Sequence, residues 1–344
     1  MLHALSFCSF VLCLPLAGCH LIAEYGNADG REDASADTTP LDSNAHETSS
    51  HEASIADAMT DAPEGGPIDG TQDSPTPTLD AQEPFSPNVT FSPAALVPGG
   101  VNTTRDQDGP WLSSDGRRLY YSDSVAGSGT TRRIYFANRL SLESDFSDGG
   151  PIAELYEATV AAGDVTLSAD ETVIIYERVV STTEVNLYQA TRTAITEPFS
   201  PPQPLPGVTT TEIEEDPSLS ADGKVLVFNR HTTTSPNRLY YATRASLTET
   251  FSPAVALNVA SGTEEAEDPC YLQGLGLVLF ESNDFHQTTD KDILAVSWKP
   301  GALVGAPQLL KISLASEGEG DAFVQPALRM IVFVRGDNLY QATY

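Results

Sequence analysis

Five segments of this sequence repeat one pattern at a nearly constant interval, and that interval limits the fold more than any other feature. They read DGPWLSSDGRRLYY, DVTLSADETVIIY, DPSLSADGKVLVF, DPCYLQGLGLVLF and DAFVQPALRMIVF. They begin at Asp108, Asp164, Asp216, Asp268 and Asp321, so successive starts lie 56, 52, 52 and 53 residues apart. A period of this length is too long for most solenoid repeats and suits one four-stranded blade of a β-propeller.

Each unit parses into four short strands. The first is the Asp-Pro-x-Leu-Ser type of segment. A tight turn follows, in which Asp115-Gly116 and Asp222-Gly223 offer the left-handed backbone a hairpin needs. The second strand is apolar at every position, as in Val173-Ile174-Ile175-Tyr176 and Val225-Leu226-Val227-Phe228. Such a strand must be covered on both faces, which blades stacked side by side provide. The third strand carries a Leu-Tyr pair in most units, and the fourth opens with Phe-Ser-Pro, as at Phe199-Ser200-Pro201 and Phe251-Ser252-Pro253. Proline suits an edge strand, the outermost position of a blade. The fifth unit stops at Tyr344 after its third strand, while Phe91–Val97 carries a spare copy of the fourth-strand signature. The expected fold is therefore all-β: a five-bladed propeller of four-stranded blades, closed by pairing the N-terminal strand with the C-terminal blade.

The pattern Asp-x-x-Pro/Leu-Ser-x-Asp-Gly-Lys/Arg, an apolar strand, then a Leu-Tyr strand resembles the WD-like propeller repeat of the periplasmic Tol-system protein and of many bacterial surface proteins. The likeness covers about residues 91–344 and is clearest in units one and three. It implies a binding or scaffold propeller.

The segment ahead of the repeats has a different character. Residues 2–18 are apolar and lead directly into Cys19, a length that suits the core of a signal peptide rather than a spanning helix. Leu16-Ala17-Gly18-Cys19 resembles the bacterial lipobox, which implies cleavage before Cys19 and acylation of its thiol. From His20 to Glu83 there are fifteen acidic residues and one basic residue, Arg31, with no apolar period. Such a stretch cannot bury enough apolar surface to offset its chain entropy and is expected to stay extended. The expected organisation is a lipoprotein signal peptide over 1–18, an acidic disordered stalk over 19–84 and the propeller over 85–344. The expected location is the cell envelope, with the chain lipid-anchored to a bacterial membrane and facing the periplasm or the surface.

The formal charge of −30 repels phosphate backbones, so no nucleic-acid partner is expected. Three of the four cysteines lie in the first twenty residues, which leaves Cys270 without a disulfide mate and reads as a small buried hydrophobe. No nucleophile elbow, Walker loop, HExxH helix or paired CxxC is present. His231 and His286 stand singly in loops and read as solvated. No cofactor and no metal ligand set is expected.

Carboxylates are the remaining candidates. Asp108, Asp164, Asp216, Asp268 and Asp321 begin the innermost strands and are the candidate ligand-binding residues of the funnel. Because an Asp recurs in every unit, a structural task also accounts for it: bonding backbone where the strand starts. A glycosidase would need one acid and one base or nucleophile at fixed separation, which Asp108, Glu214, Glu215, Asp216, Glu267, Asp268, Glu319 and Asp321 could supply. Trp111 reads as an aromatic packed between blades, with sugar stacking as its other use. The expected function is a non-catalytic binding or scaffold module, monomeric, for a protein or glycan of the envelope. The alternative is a carbohydrate-active propeller.

Overall fold

The computed structural model describes residues 84–124, 131–157, 160–181, 183–259, 265–283, 291–302, 304–312 and 318–344. The chain divides into two units, Met1–Ser74 and Pro75–Tyr344. The first unit lies outside the described residues, and with it Cys19 and nearly all of the expected stalk; His286 does so too.

The described residues are all-β apart from two single-turn 3₁₀ helices. The first repeat unit forms β2 (Gln107–Leu112), β3 (Arg118–Ser124), β4 (Arg132–Asn138) and β5 (Gly150–Pro151), and the second forms β6 (Ala162–Leu167), β7 (Val173–Ser181), β8 (Glu184–Thr191) and β9 (Gln203–Pro204). The third forms β10 (Ile213–Leu219), β11 (Val225–His231), β12 (Arg238–Thr243) and β13 (Val255–Ala256). The fourth forms β14 (Glu267–Leu272), β15 (Leu277–Ser282), β16 (Asp292–Ser297) and β17 (Gln308–Leu309). In the fifth, β18 (Glu319–Gln325), β19 (Met330–Arg335) and β20 (Asn338–Thr343) are joined by β1 (Ala95–Leu96). Strands within a unit pair antiparallel in chain order, and one parallel bridge, Val185 to Ile213, links the second and third units.

The apolar second strands explain how these sheets stack. Successive side chains of a strand point to opposite faces. In β7, Ile174 and Tyr176 enter a core shared with the first unit, while Val173 and Ile175 enter a core shared with the third. The same alternation in β15 sends Val278 and Phe280 towards the third unit and Leu277 and Leu279 towards the fifth. Tyr121 of β3 and Val332 of β19 share a further core with Val97. Each of the five cores thus lies between two units, and the first strands adjoin in cyclic order β2, β6, β10, β14, β18 and back to β2. A side chain buried in this way contributes roughly 1.5–3 kcal/mol relative to an exposed one.

Two recurrent devices hold the rims. In the Phe-Ser-Pro segment the serine bonds the third strand twice: the Ser200 N–H donates to Thr191 O at 2.7 Å, and the Thr191 N–H donates to Ser200 Oγ at 3.0 Å. Ser252 does the same with Thr243. The N-terminal copy behaves alike, since Ser92 N–H donates to Thr343 O at 2.7 Å and Ser92 Oγ accepts from Thr343 N–H at 2.9 Å. In the fourth unit Gly305 stands at this place and keeps only the backbone bond, to Ser297 O.

The second device is an arginine two residues after the alanine of the third strand. Arg139, Arg192 and Arg244 each donate from Nε at 2.7 Å to the carbonyl of the left-handed turn residue, Gly116, Glu171 and Gly223 respectively. Their guanidinium groups lie 4.4, 4.3 and 4.4 Å over Phe146, Phe199 and Phe251, contacts worth about 0.5–1 kcal/mol each. In the second unit Glu171 occupies, at φ 57°, the left-handed position that glycine fills in the first, third and fourth units and Arg329 in the fifth. Its buried carboxylate is gripped by Arg118 Nε at 2.8 Å and by the Tyr120 hydroxyl at 2.9 Å.

Stacking of this kind makes a specific demand on stability. Ile175→Ala, a fully buried position, should cost about 2–5 kcal/mol. Leu140→Ala, at a side chain 88% exposed, should change stability by no more than about 0.5 kcal/mol. Urea denaturation of the two variants checks both numbers.

Candidate functional site

The inner end of each first strand carries a β-bulge, between Asp108 and Trp111, Gly163 and Val165, Glu215 and Ser218, Glu267 and Cys270, and Gly320 and Phe323. The bulge needs one residue with positive φ, and Asp, Asn and Gly tolerate that region best. Asp164, Asp216, Asp268 and Asp321 hold it at φ 24°, 51°, 49° and 47°. In the first unit the slot belongs to Gly109, at φ 53°. Asp108 therefore sits one residue earlier than the sequence register places it, opposite Ser122. This backbone requirement, rather than bonding where the strand starts, explains the recurrence of Asp.

The bulges turn the carboxylates towards one another. Oxygens of Asp164, Glu177 and Asp216 lie within 4.8 Å of each other, as do those of Asp108, Asp164 and Asp321, and those of Glu267, Asp268 and Glu281. The carboxyls act on one another in pairs, Asp164 with Asp216, Asp216 with Asp268, Asp268 with Glu281, and Asp108 with Asp321. The Asp321 N–H donates to Glu281 Oε1. Arg132 bridges Asp108 and Asp106. The slot residues Gly109, Asp164, Asp216, Asp268 and Asp321 line a cavity of ≈ 40 Å³, floored by Trp111, Ser218, Cys270 and Phe323.

Burial is the main cause of the site's electrostatics. It pushes Asp164 up to about 7, with the negative charge of Asp108 adding to the effect. Glu281 is likewise pushed up to about 7 by burial, against the hydrogen bond from Asp268. Glu177, Asp216, Asp268 and Asp321 are all raised well above the usual carboxylate range by burial first and by their acidic neighbours second. Like charges this close cannot all ionise without a counter-charge.

The other sequence candidates have partners of their own. Glu214 is buried and bonds Arg230 Nε at 3.0 Å, and Glu319 is buried beside Arg335 at 3.1 Å. Glu215 faces His231 Nε2 at 3.2 Å, so that imidazole is paired rather than merely solvated. Glu267 bonds Lys291 and Asn237. Trp111 is buried in the core between the first and second units, with its ring centroid 5.7 Å from that of Tyr120 and 5.7 Å from that of Phe323 in the fifth unit. Cys270 is buried, and burial pushes its thiol up to about 11.

Sequence reasoning missed Glu177 and Glu281. Both follow directly on an apolar second strand, at the place that Asn229 takes in the third unit. A charged residue directly after an unbroken apolar run of four was the available signal.

No family model matches this chain. No curated protein matches it either. Among solved structures it is similar to the catalytic domain of the Coprinopsis cinerea GH62 α-L-arabinofuranosidase, with TM-score 0.52 and 9% identity over 75% of this chain and 98% of that one. It is similar to the endo-arabinase from Bacteroides thetaiotaomicron VPI-5482, with TM-score 0.50 and 16% identity over 74% and 98%. A putative TolB from Agrobacterium tumefaciens aligns at 17% identity over 68% of this chain and 72% of that one, with TM-score 0.41. At these identities the likeness is one of fold, an all-β arrangement of propeller type.

The raised carboxyls set a sign for pH dependence. The folded ring holds protons that the unfolded chain, with ordinary carboxylates, has already released. That contribution to stability is complete below the unfolded values near 4 and is lost as pH rises through about 7. In metal-free buffer the urea midpoint of the wild type should therefore fall between about pH 5 and pH 7.5, and fall less in Asp164→Asn. An equal fall in both would remove Asp164 as a source.

Proposed function

We propose that the chain is a membrane-anchored lipoprotein of the bacterial cell envelope, whose five sheets close into one five-bladed propeller that serves as a non-catalytic binding or scaffold module for a protein or glycan. Cys19, following an apolar run within Leu16-Ala17-Gly18-Cys19, carries the lipid. The acidic stretch over 19–84 spaces the propeller over 85–344 from the membrane. Among the described residues no helix is long and apolar enough to cross a membrane.

Closure of the ring is supported by the cyclic order of first-strand contacts and by the pairing of Ala95 with Gln341 and of Leu96 with Tyr340. Asn102 adds to it, since its side chain accepts from Leu339 N–H at 2.7 Å and donates to Val97 O and Leu339 O at 3.1 Å each.

One observation carries the non-catalytic reading: the acidic ring surrounds only ≈ 40 Å³, enough for a few waters at roughly 10–15 Å³ each and too little for a sugar ring. Glycoside cleavage requires two carboxyl groups flanking the substrate at about 5–5.5 Å or about 6.5–9.5 Å. The grouped oxygens here lie within 4.8 Å of one another, closer than either spacing. The glycosidase alternative rests on the fold shared with the arabinan-cleaving enzymes named above, and a shared fold does not carry a reaction with it.

Two measurements test this reading. Mass spectrometry of the native protein should find an acylated Cys19 at the N-terminus, and Cys19→Ser should move the protein from the membrane to the soluble fraction; an unmodified terminus elsewhere refutes the anchor. Deleting residues 85–100 should lower the melting temperature by far more than deleting residues 24–80, because only the first deletion removes Phe85, β1 and Val97. Equal melts would refute closure.

A further inference from the structure

The second strands place one residue between each pair of neighbouring bulges. Glu177, Asn229 and Glu281 share a register position, opposite Gly163, Glu215 and Glu267 respectively. Glu177 reaches Asp164 of its own unit and Asp216 of the next. Glu281 reaches Asp268 of its own unit and the Asp321 N–H of the next. By the same register Asn229 lies on the face of β11 that Val227 turns towards the fourth unit, the unit of Asp268.

Asn229 is 0% exposed, and neither atom of its side-chain amide has a hydrogen-bond partner among the described residues. A buried amide left wholly unpaired is costly and calls for an explanation. Asp164 Oδ1, on the same ring, is also a buried oxygen without a hydrogen-bond partner among the described residues. Arg132, the guanidinium that acts on Asp164, already bridges Asp106 and Asp108. The ring thus gathers oxygen donors in excess of the protein's own cations and donors, around a cavity of ≈ 40 Å³.

The chemistry of those donors selects the ligand. Carboxylates and an amide carbonyl are hard oxygen ligands, and Ca²⁺ takes about six to eight of them at roughly 2.3–2.6 Å in flexible geometry. Among the described residues no histidine lines the cavity, and the one sulfur that does, on Cys270, holds its proton tightly in this buried setting. That donor set disfavours zinc and copper.

We propose that the inner end of the ring is a binding site for a hard divalent cation of the Ca²⁺ type, with Asp164, Glu177 and Asp216 as carboxylate ligands and the Asn229 amide oxygen as a neutral one. The proposal deepens the non-catalytic reading of the ring, on which it rests. A cation there would neutralise the crowded carboxylates and lock neighbouring sheets to one another, with waters completing its coordination.

The test uses the full-length protein in detergent, titrated with CaCl₂ by calorimetry and melted in millimolar CaCl₂ or in EDTA. Wild type should bind one tightly held Ca²⁺ and melt several degrees higher with calcium than with EDTA, and MgCl₂ at the same concentration should raise the melt less. The double variant Glu177→Gln, Asp216→Asn should lose that binding step and the calcium-dependent rise. Its neutral side chains relieve repulsion, so in EDTA it should melt no lower than wild type, which separates loss of the site from loss of folding. Asn229→Ala should weaken calcium at least tenfold. Absence of a calcium effect on wild type overturns the proposal, as does equal uptake by the double variant, which would place calcium on acidic residues elsewhere. Turnover of aryl glycosides by wild type would instead refute the non-catalytic reading, and calcium binding by the same sample is read independently of it.

Discussion

The structure depends on strands that are buried on both faces. A sheet of four short strands whose central strand reads Val-Ile-Ile-Tyr or Val-Leu-Val-Phe has no side that water can cover. It gains a place only between two others. Ile174 with Tyr176 and Val173 with Ile175 divide β7 between two cores, and each further unit repeats the problem. A linear stack would leave an apolar face at each end. The proposed ring would leave none, and cores do run between every consecutive pair of units, including the fifth and the first. Edge strands follow the same logic, since their short length and proline content blunt pairing with other chains.

Much of this architecture was legible beforehand because it rests on local rules that repeat. The interval of the Asp-led segments marked the units, the unbroken apolar runs marked the second strands, and Phe-Ser-Pro marked the fourth. The serine of that motif earns its recurrence by clasping the third strand twice, a bond pattern invisible in a single copy. The arginines at 139, 192 and 244 escaped notice because their partners, a turn carbonyl and a phenylalanine ring, are brought together only by the hairpin and the returning fourth strand.

The acidic ring was legible in part. The recurring Asp is visible in sequence, yet its register in the first unit is not, because Asp108-Gly109 can satisfy the pattern in two ways and only the bulge decides between them. Once Gly109 takes the left-handed slot, the fivefold repetition breaks, and Asp108 turns to Arg132 instead. Glu177, Asn229 and Glu281 were hidden for a different reason. Their meaning depends on pairing across the hairpin and on the neighbouring unit, neither of which a linear pattern shows. What remains is a group of carboxyls that burial and their acidic neighbours crowd together.

The proposed ring can be tested most directly at its seam. The amides of Asn338–Thr343 bond on one side to β19 and on the other to β1, to Ser92 and to Asn102. Native-state hydrogen exchange resolves these amides individually. In a closed ring, the amides of Leu339, Gln341 and Thr343 exchange only through global unfolding, with the same protection as Leu226 and Phe228 in the third unit. Exchange of the C-terminal strand by local fraying, orders of magnitude faster than that of the third unit, would contradict closure and with it the stacking of five sheets around one axis.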